Sequence, residues 1–233
     1  MSTRIAGDDG ADFEAGVAGA DQFTTEDLRA WVVRAERILV RHRALLDRLD
    51  ARLGDGDHGE NMSVGFGDAV RAMRADRDGR DAGELLRDLG QLVVAGVGGA
   101  GGSLYGSALI EAGIAVVGKS ALDVSDLATA LDAAAEGLAR RGRCRLGDKT
   151  IYDALRPAAD AVAEAVRDGR GVDAALRAAA GAARAGMIAT RPLVARRGLA
   201  LRLGERSRGH QDPGATSCFL LVRAMLPAAG RAR

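Results

Sequence analysis

Asp50, Gly54, Asp55, Gly56, Asp57 and Gly59 fall in one short stretch, LDARLGDGDHGENM, with His58 and Asn61 beside them. Glycine permits the positive-φ backbone that folds such a stretch back on itself, so the three carboxylates can converge. Converged carboxylates repel one another and take up protons unless a cation lies between them. An all-oxygen donor set without cysteine selects a hard ion, Mg2+ or Ca2+. The EF-hand is excluded by register: counting from Asp55, the fifth and sixth positions are Gly59 and Glu60 and the twelfth is Phe66. Mg2+ held by carboxylates and water usually serves a phosphate ligand. A lone Asp-Gly-Asp reads as a turn. With Asp50 before it and His58 and Asn61 after it, the metal reading is preferred.

Three further polar clusters suit a nucleotide. GAGGSLYG, 99–106, places backbone amides at a helix start, where free N–H groups bind phosphate without any sheet. LGDKT, 146–150, opens another helix, for which Asp148 alone would be an ordinary cap. GERSRGHQDPGA, 204–215, runs into Asp212 as N-cap with Pro213 at the first helical position. His42 and His210 read as structural or surface histidines. Several polar helix starts beside one carboxylate cluster describe a site at one end of a helical barrel.

Two motifs are decoys. GIAVVGKS, Gly113 to Ser120, matches the P-loop pattern letter for letter, but the segment before it reads as helix and its middle is apolar. It is expected to be a helix C-terminus, with Gly118 as the stop and Lys119 near the negative dipole end. GVGGAG, Gly96 to Gly101, matches the dinucleotide fingerprint, and Asp123 lies about where a ribose-binding acid belongs. A Rossmann sheet needs further strands, which the chain hardly offers.

The elements that must position these groups are helices. Thr24 and Thr25 cap the first, and Leu28, Val32, Ala35, Leu39, Leu46 and Leu49 recur at three-, four- and seven-residue steps. Further helical stretches start near Asn61, Asp81, Ser103, Asp123, Asp148, Val172 and Asp212. The expected fold is all-α: about eight helices, up and down because most connections are short. Aromatics are only 3 %, so the helices must pack closely through small side chains. Thr190 to Gln211 is an exceptional connection, long and rich in arginine and glycine, and such loops are often functional. Residues 1–23 are unpatterned and Gly/Asp/Ala-rich, which predicts a flexible tail; the body is expected over 24–228, with a short tail at 229–233.

Composition narrows the function classes. A chain of 233 residues with 47 % apolar content is long enough for one sizeable core. The net charge of +1 leaves no electrostatic footprint for nucleic acid or an acidic membrane. Cys144 and Cys218 are too few for a disulfide framework or a zinc cluster. No apolar run approaches the ~20 residues of a membrane span, and the acidic N-terminus lacks a secretory core. A cytoplasmic protein is the simplest expectation.

Taken together, LDRLDARLGDGDHGENMSVGF, GGAGGSLYG, GDKTIYDAL and LGERSRGHQDPGA, in that order, resemble the nucleotide-binding L subunit of dihydroxyacetone kinase. The resemblance covers about residues 25–226. It implies an eight-helix antiparallel barrel holding ADP or ATP with two Mg2+ at one end. It also implies a separate K subunit that carries the ketone covalently on a histidine. In one branch of the family the nucleotide stays bound and is recharged by a phosphotransferase-system phosphoprotein; in another, ATP exchanges. By this resemblance Asp50, Asp55 and Asp57 are Mg2+ ligands, and His58, Gly59, Glu60 and Asn61 lie along the phosphates. Ala100 and Gly101 offer amides to phosphate, Gly142 and Ile151 flank the base, and Asp212, Pro213 and Gly214 close the site. The implied activity is phosphoryl transfer to dihydroxyacetone or a close relative, with no catalytic residue on this chain beyond the Mg2+ site. Two positions depart from the family: Gly101 stands where serine is usual, and Leu199 replaces a nucleotide-contacting arginine, a gap that Arg197 or Arg202 can fill. The alternatives are the nucleotide domain of a fatty-acid kinase, which typically carries threonine at His58, and a nucleotide-sensing regulatory partner without catalysis. A Rossmann oxidoreductase ranks last.

Overall fold

The computed structural model describes residues 21–75 and 79–226. Eight α-helices dominate: α1 (Thr25–Asp50), α2 (His58–Ala75), α3 (Ala82–Gly96), α4 (Gly99–Ala115), α5 (Val124–Gly142), α6 (Tyr152–Arg167), α7 (Val172–Ala189) and α8 (Pro213–Ala224). A single antiparallel pair, β1 (Phe23–Thr24) with β2 (Ala121–Leu122), is the whole sheet content among the described residues. The strands that a Rossmann fold needs are therefore missing from them.

Capping chemistry fixes several helix starts. Thr24, Asp81 and Asp123 each accept the N–H three residues on, and Asp27, Glu84 and Asp126 reach back, forming capping boxes for α1, α3 and α5. Each helix packs on the next, and α8 returns to α1, so the ring closes. Trp31 Nε1 donates to the Leu221 carbonyl at 2.9 Å and Arg34 Nε to that of Ala224 at 2.8 Å, stitching the closure. The close packing expected from so few aromatics is clearest between α3 and α4. A Cβ on Gly83 would meet the Gly113 carbonyl oxygen at 2.5 Å, and one on Gly90 would meet that of Gly106 at 2.8 Å. Inside the ring, Leu39, Leu46, Met62, Phe66, Leu89 and Leu176 are fully buried.

Residues 1–20 and 227–233, most of the expected tails, lie outside the described residues. Phe23, which the sequence reading placed in the tail, belongs to the body: it is 1 % exposed and pairs with Leu122. Two helices begin earlier than read, α2 at His58 and α4 at Gly99, because glycine-rich first turns hide the periodicity that marks a helix. No helix among the described residues is long and apolar enough to cross a membrane.

Candidate functional site

The turn between α1 and α2 builds itself from local bonds. Asp50 Oδ2 accepts the N–H of Gly56 at 2.8 Å and of Asp57 at 3.2 Å. Gly56 sits at φ +87°, which favours glycine. A Cβ on Gly54 would come 2.5 Å from Asp50 Oδ1, so that residue too must be small. The result is that oxygens of Asp50, Asp55 and Asp57 all lie within 4.8 Å of one another. Burial pushes the Asp50 carboxyl above its ordinary range, and the neighbouring Asp55 adds to this against the N–H groups of Gly56 and Asp57. Three acidic groups brought together in this way are chemically suited to a hard divalent cation, so the residues present fit Mg2+.

Behind the turn, α2 opens with His58. Its Nε2 lies 2.8 Å from Ser217 Oγ on α8, and Ser217 in turn meets the Tyr105 hydroxyl of α4 at 2.7 Å. Burial depresses the imidazole to about 4, although Asp47 and Asp55 pull it upward. At neutral pH it is therefore an uncharged ring fixed from behind, with its Nδ1 edge about 4.0 Å from where a Cβ on Gly101 would be. Asn61 lies against Gly98, the N-cap of α4, which brings the starts of α2 and α4 side by side.

The next wall is the 145–153 turn. Asp148 is not the plain helix cap that the sequence suggested. It is 1 % exposed, and its Oδ2 accepts Arg197 Nε at 3.1 Å and the N–H of Arg145 at 3.2 Å. Asp153 shapes the turn instead, accepting Gly147 N–H at 2.6 Å and Thr150 N–H at 2.7 Å, so α6 starts only at Tyr152. The Thr150-x-x-Asp153 spacing was the available signal. Asp212 does cap α8 as expected, accepting the Ala215 N–H at 2.7 Å, and burial pushes its carboxyl up to about 7.

These walls enclose a cavity of about 380 Å³. Asp50, Asp55 and Asp57 line it together with His58, Asn61, Ala100, Gly101, Gly142, Ile151, Asp212, Pro213 and Gly214. Gly59 and Glu60 do not. Gly59 packs against the Arg43 carbonyl of α1, and Glu60 is paired with Arg43 at 2.9 Å. The reading missed Leu104, Leu138 and Cys144, which make one side apolar, and the buried Lys149. Arg197 and Leu199 both line the cavity, whereas Arg202 is not among the lining residues.

Both decoys are settled. Gly118 ends the α4 region at φ +82°, and Lys119 forms an exposed ion pair with Asp126 at 3.2 Å. The stretch before Gly96 is helix α3, not a strand, and Asp123 is simply the N-cap of α5.

Residues 52–227 match the family model of the DAK2 domain. The ADP-binding subunit DhaL of the PEP-dependent dihydroxyacetone kinase of Escherichia coli (strain K12) is 36 % identical over 199 residues, which is 85 % of this chain and 94 % of that protein. L-erythrulose 1-kinase of Mycolicibacterium smegmatis is 38 % identical over 192 residues, 82 % of this chain but only 33 % of that protein. Among solved structures, the dihydroxyacetone kinase of C. freundii in complex with AMP-PNP and Mg2+ superposes with a TM-score of 0.64 at 22 % identity. That match covers 96 % of this chain and 38 % of that one. The chain belongs to the DAK2 domain family, with the helical fold of its dihydroxyacetone kinase relatives.

Proposed function

We propose that this chain is the nucleotide-binding phosphotransferase subunit of a dihydroxyacetone-type kinase. It holds Mg2+·ATP, from which a phosphoryl group passes to a short ketose, dihydroxyacetone or a four-carbon relative, carried by a separate K subunit. The observation that carries this reading is the convergence of Asp50, Asp55 and Asp57 within 4.8 Å at a cavity of about 380 Å³. A cavity of that size is in the range of small-molecule sites.

Each wall has a task in this account. Asp50, Asp55 and Asp57 hold Mg2+, two ions by family resemblance. Mg2+ held there would supply positive charge against the phosphates and the transferred group. The free N–H groups at the start of α4, around Ala100 and Gly101, donate to the phosphates. His58 presents an uncharged imidazole edge to them. Arg197, steered through its Nε by Asp148, keeps its remaining N–H groups for phosphate in place of the arginine absent at 199. Ile151, Gly142 and Leu104 flank the base. Phosphoryl transfer of this kind needs positioning and charge stabilisation more than a protein nucleophile, and none is assigned to this chain. The setting proposed is the cytoplasm.

A second reading concerns only the donor. The E. coli relative, 94 % of whose length is matched, is named for a PEP-dependent kinase. On that reading bound ADP is recharged in place by a phosphotransferase phosphoprotein. Reconstitution with a K subunit and dihydroxyacetone or erythrulose tests both. Product that depends on this chain, Mg2+ and free ATP supports the first reading. Product only with the PEP-driven phosphoproteins supports the second, and product with neither removes the kinase proposal.

A further inference from the structure

The connection from α7 to α8 is a closed loop with a narrow neck. Thr190 Oγ1 accepts the Asp212 N–H at 3.0 Å, Gly209 N–H donates to the Arg191 carbonyl at 2.8 Å, and Arg191 Nε donates to Gln211 Oε1 at 3.1 Å. Lys149 enters this neck from the opposite turn. Its ammonium donates to the carbonyls of Thr190 at 2.7 Å, Leu193 at 3.3 Å and His210. Lys149 is 2 % exposed and adopts φ +64°, a conformation uncommon for a side chain of its size. An ammonium has three donors, and here all three find backbone carbonyls from both ends of one loop.

Beyond the neck the two arms of the loop are bonded to each other, Ala195 N–H donating to Ser207 Oγ at 2.8 Å and Arg208 to the Pro192 carbonyl at 2.7 Å, and the loop is tied outward to Asp148. The Arg196 N–H reaches the Asp148 carbonyl at 3.0 Å, and Arg197 Nε reaches the Asp148 carboxylate. Ala195 and Ala200, with the half-buried Leu203, form a small apolar cluster of their own with Leu53, apart from the main core. Small satellite clusters open more readily than a contiguous core. Leu53 is part of the carboxylate turn, and Arg197 to Ala200 form one wall of the cavity.

We propose that Lys149 is a positioning residue. It clasps the two ends of loop 190–211, seats Arg197–Ala200 as the outer wall of the cavity, and so sets how long a bound nucleotide stays. When Lys149 no longer donates, the neck keeps only the Thr190–Asp212, Arg191–Gly209 and Arg191–Gln211 bonds; the wall then opens more often, and Leu53 loses its cover beside Asp50 and Asp55. The effect on nucleotide lifetime rests on the nucleotide-binding function proposed above, whereas the seating of the loop does not.

Lys149→Met in the full chain tests this. Trypsin should cut the loop, at Arg196, Arg197, Arg202, Arg206 or Arg208, at least about tenfold faster than in wild type, with cleavage in the helices and helix content unchanged. In the presence of Mg2+, ADP should dissociate about tenfold faster or more, as expected for lost charge-assisted bonds. The loss in a kinase assay should fall more on KM for nucleotide than on kcat, and Lys149→Arg, which keeps the donors, should recover part of both effects. Unchanged loop cleavage overturns the clasp. Faster cleavage with unchanged ADP release overturns the control of nucleotide lifetime and leaves the clasp. If Lys149→Met does not fold, hydrogen exchange of the wild type decides. The N–H groups of Arg196, Gly209 and Asp212 should then exchange together and faster than those inside α6 and α7, and Mg2+·ADP should slow them. Exchange of all these amides only with the core overturns the proposal.

Discussion

The carboxylate turn at 50–58 and the loop at 190–211 line the same cavity, yet they are built on opposite principles. The turn closes on itself: Asp50 accepts N–H groups from Gly56 and Asp57 within its own span. The loop, besides internal bonds such as Ala195 N–H to Ser207 Oγ, leans on distant residues, on Lys149 and Asp148 from another turn and on Leu53. One wall carries concentrated negative charge. The other is rich in arginine, and one of its guanidinium groups is aimed by a buried aspartate. A Mg2+-bound polyphosphate needs both, a cation site on one side and N–H donors on the other. The difference teaches that one wall of a site can be encoded by its own neighbours while the next is fastened by residues far along the chain.

The comparison breaks most sharply at the turn. Asp55→Ala or Asp57→Ala should abolish Mg2+-dependent nucleotide binding with helix content intact, because each removes one of three converged ligands. Calorimetry showing unchanged Mg2+·ATP affinity in both variants would falsify the metal assignment. On the opposite wall the expected loss is smaller. Arg197→Ala should weaken ADP binding roughly ten- to a hundredfold, the equivalent of about 1.5–3 kcal/mol for a charge-assisted phosphate contact. Leu199→Arg, at a position 47 % exposed, should then gain less than about tenfold. The opposite pattern, a large gain at 199 and none lost at 197, would assign the phosphate contact to the empty position.

A pH series sharpens the contrast between the turn and what supports it. The His58 imidazole is depressed from 6.5 to about 4 in the folded chain. Between those values the unfolded state binds more protons, so this group's contribution is present above pH 6.5 and is lost as pH falls towards 4. Urea midpoints should therefore rise more steeply with pH in wild type than in His58→Asn over pH 4–6.5. Asp212, raised to about 7, has the opposite slope but is common to both proteins, so it cancels in the difference. Parallel curves would show that His58 is not held uncharged. The smallest effect belongs to the decoy. Lys119→Ala removes an exposed pair with Asp126, worth under ~1 kcal/mol, and kinase activity should stay within about twofold. A loss by orders of magnitude would restore the P-loop reading.

What the sequence made legible follows the same division. The helices, the Thr24, Asp81 and Asp123 starts, and the Asp50–Asp57 turn are encoded by neighbours, so periodicity and turn chemistry find them. The role of Asp148 has no local signal because its partner, Arg197, lies far along the chain. Lys149 was assigned no role, since nothing local says that its acceptors are the carbonyls of Thr190, Leu193 and His210. Glu60 was placed on the phosphates although its helical position turns it to Arg43 on α1. The Tyr105–Ser217–His58 chain joins three helices and leaves no spacing in the sequence to read.

Native mass spectrometry with and without metal tests the central claim most directly. With Mg2+ and ADP in excess, the account predicts one nucleotide per chain accompanied by Mg2+, and release of both when the metal is chelated. A chain that binds ADP equally well after chelation, or that takes up Mg2+ and no nucleotide, contradicts it.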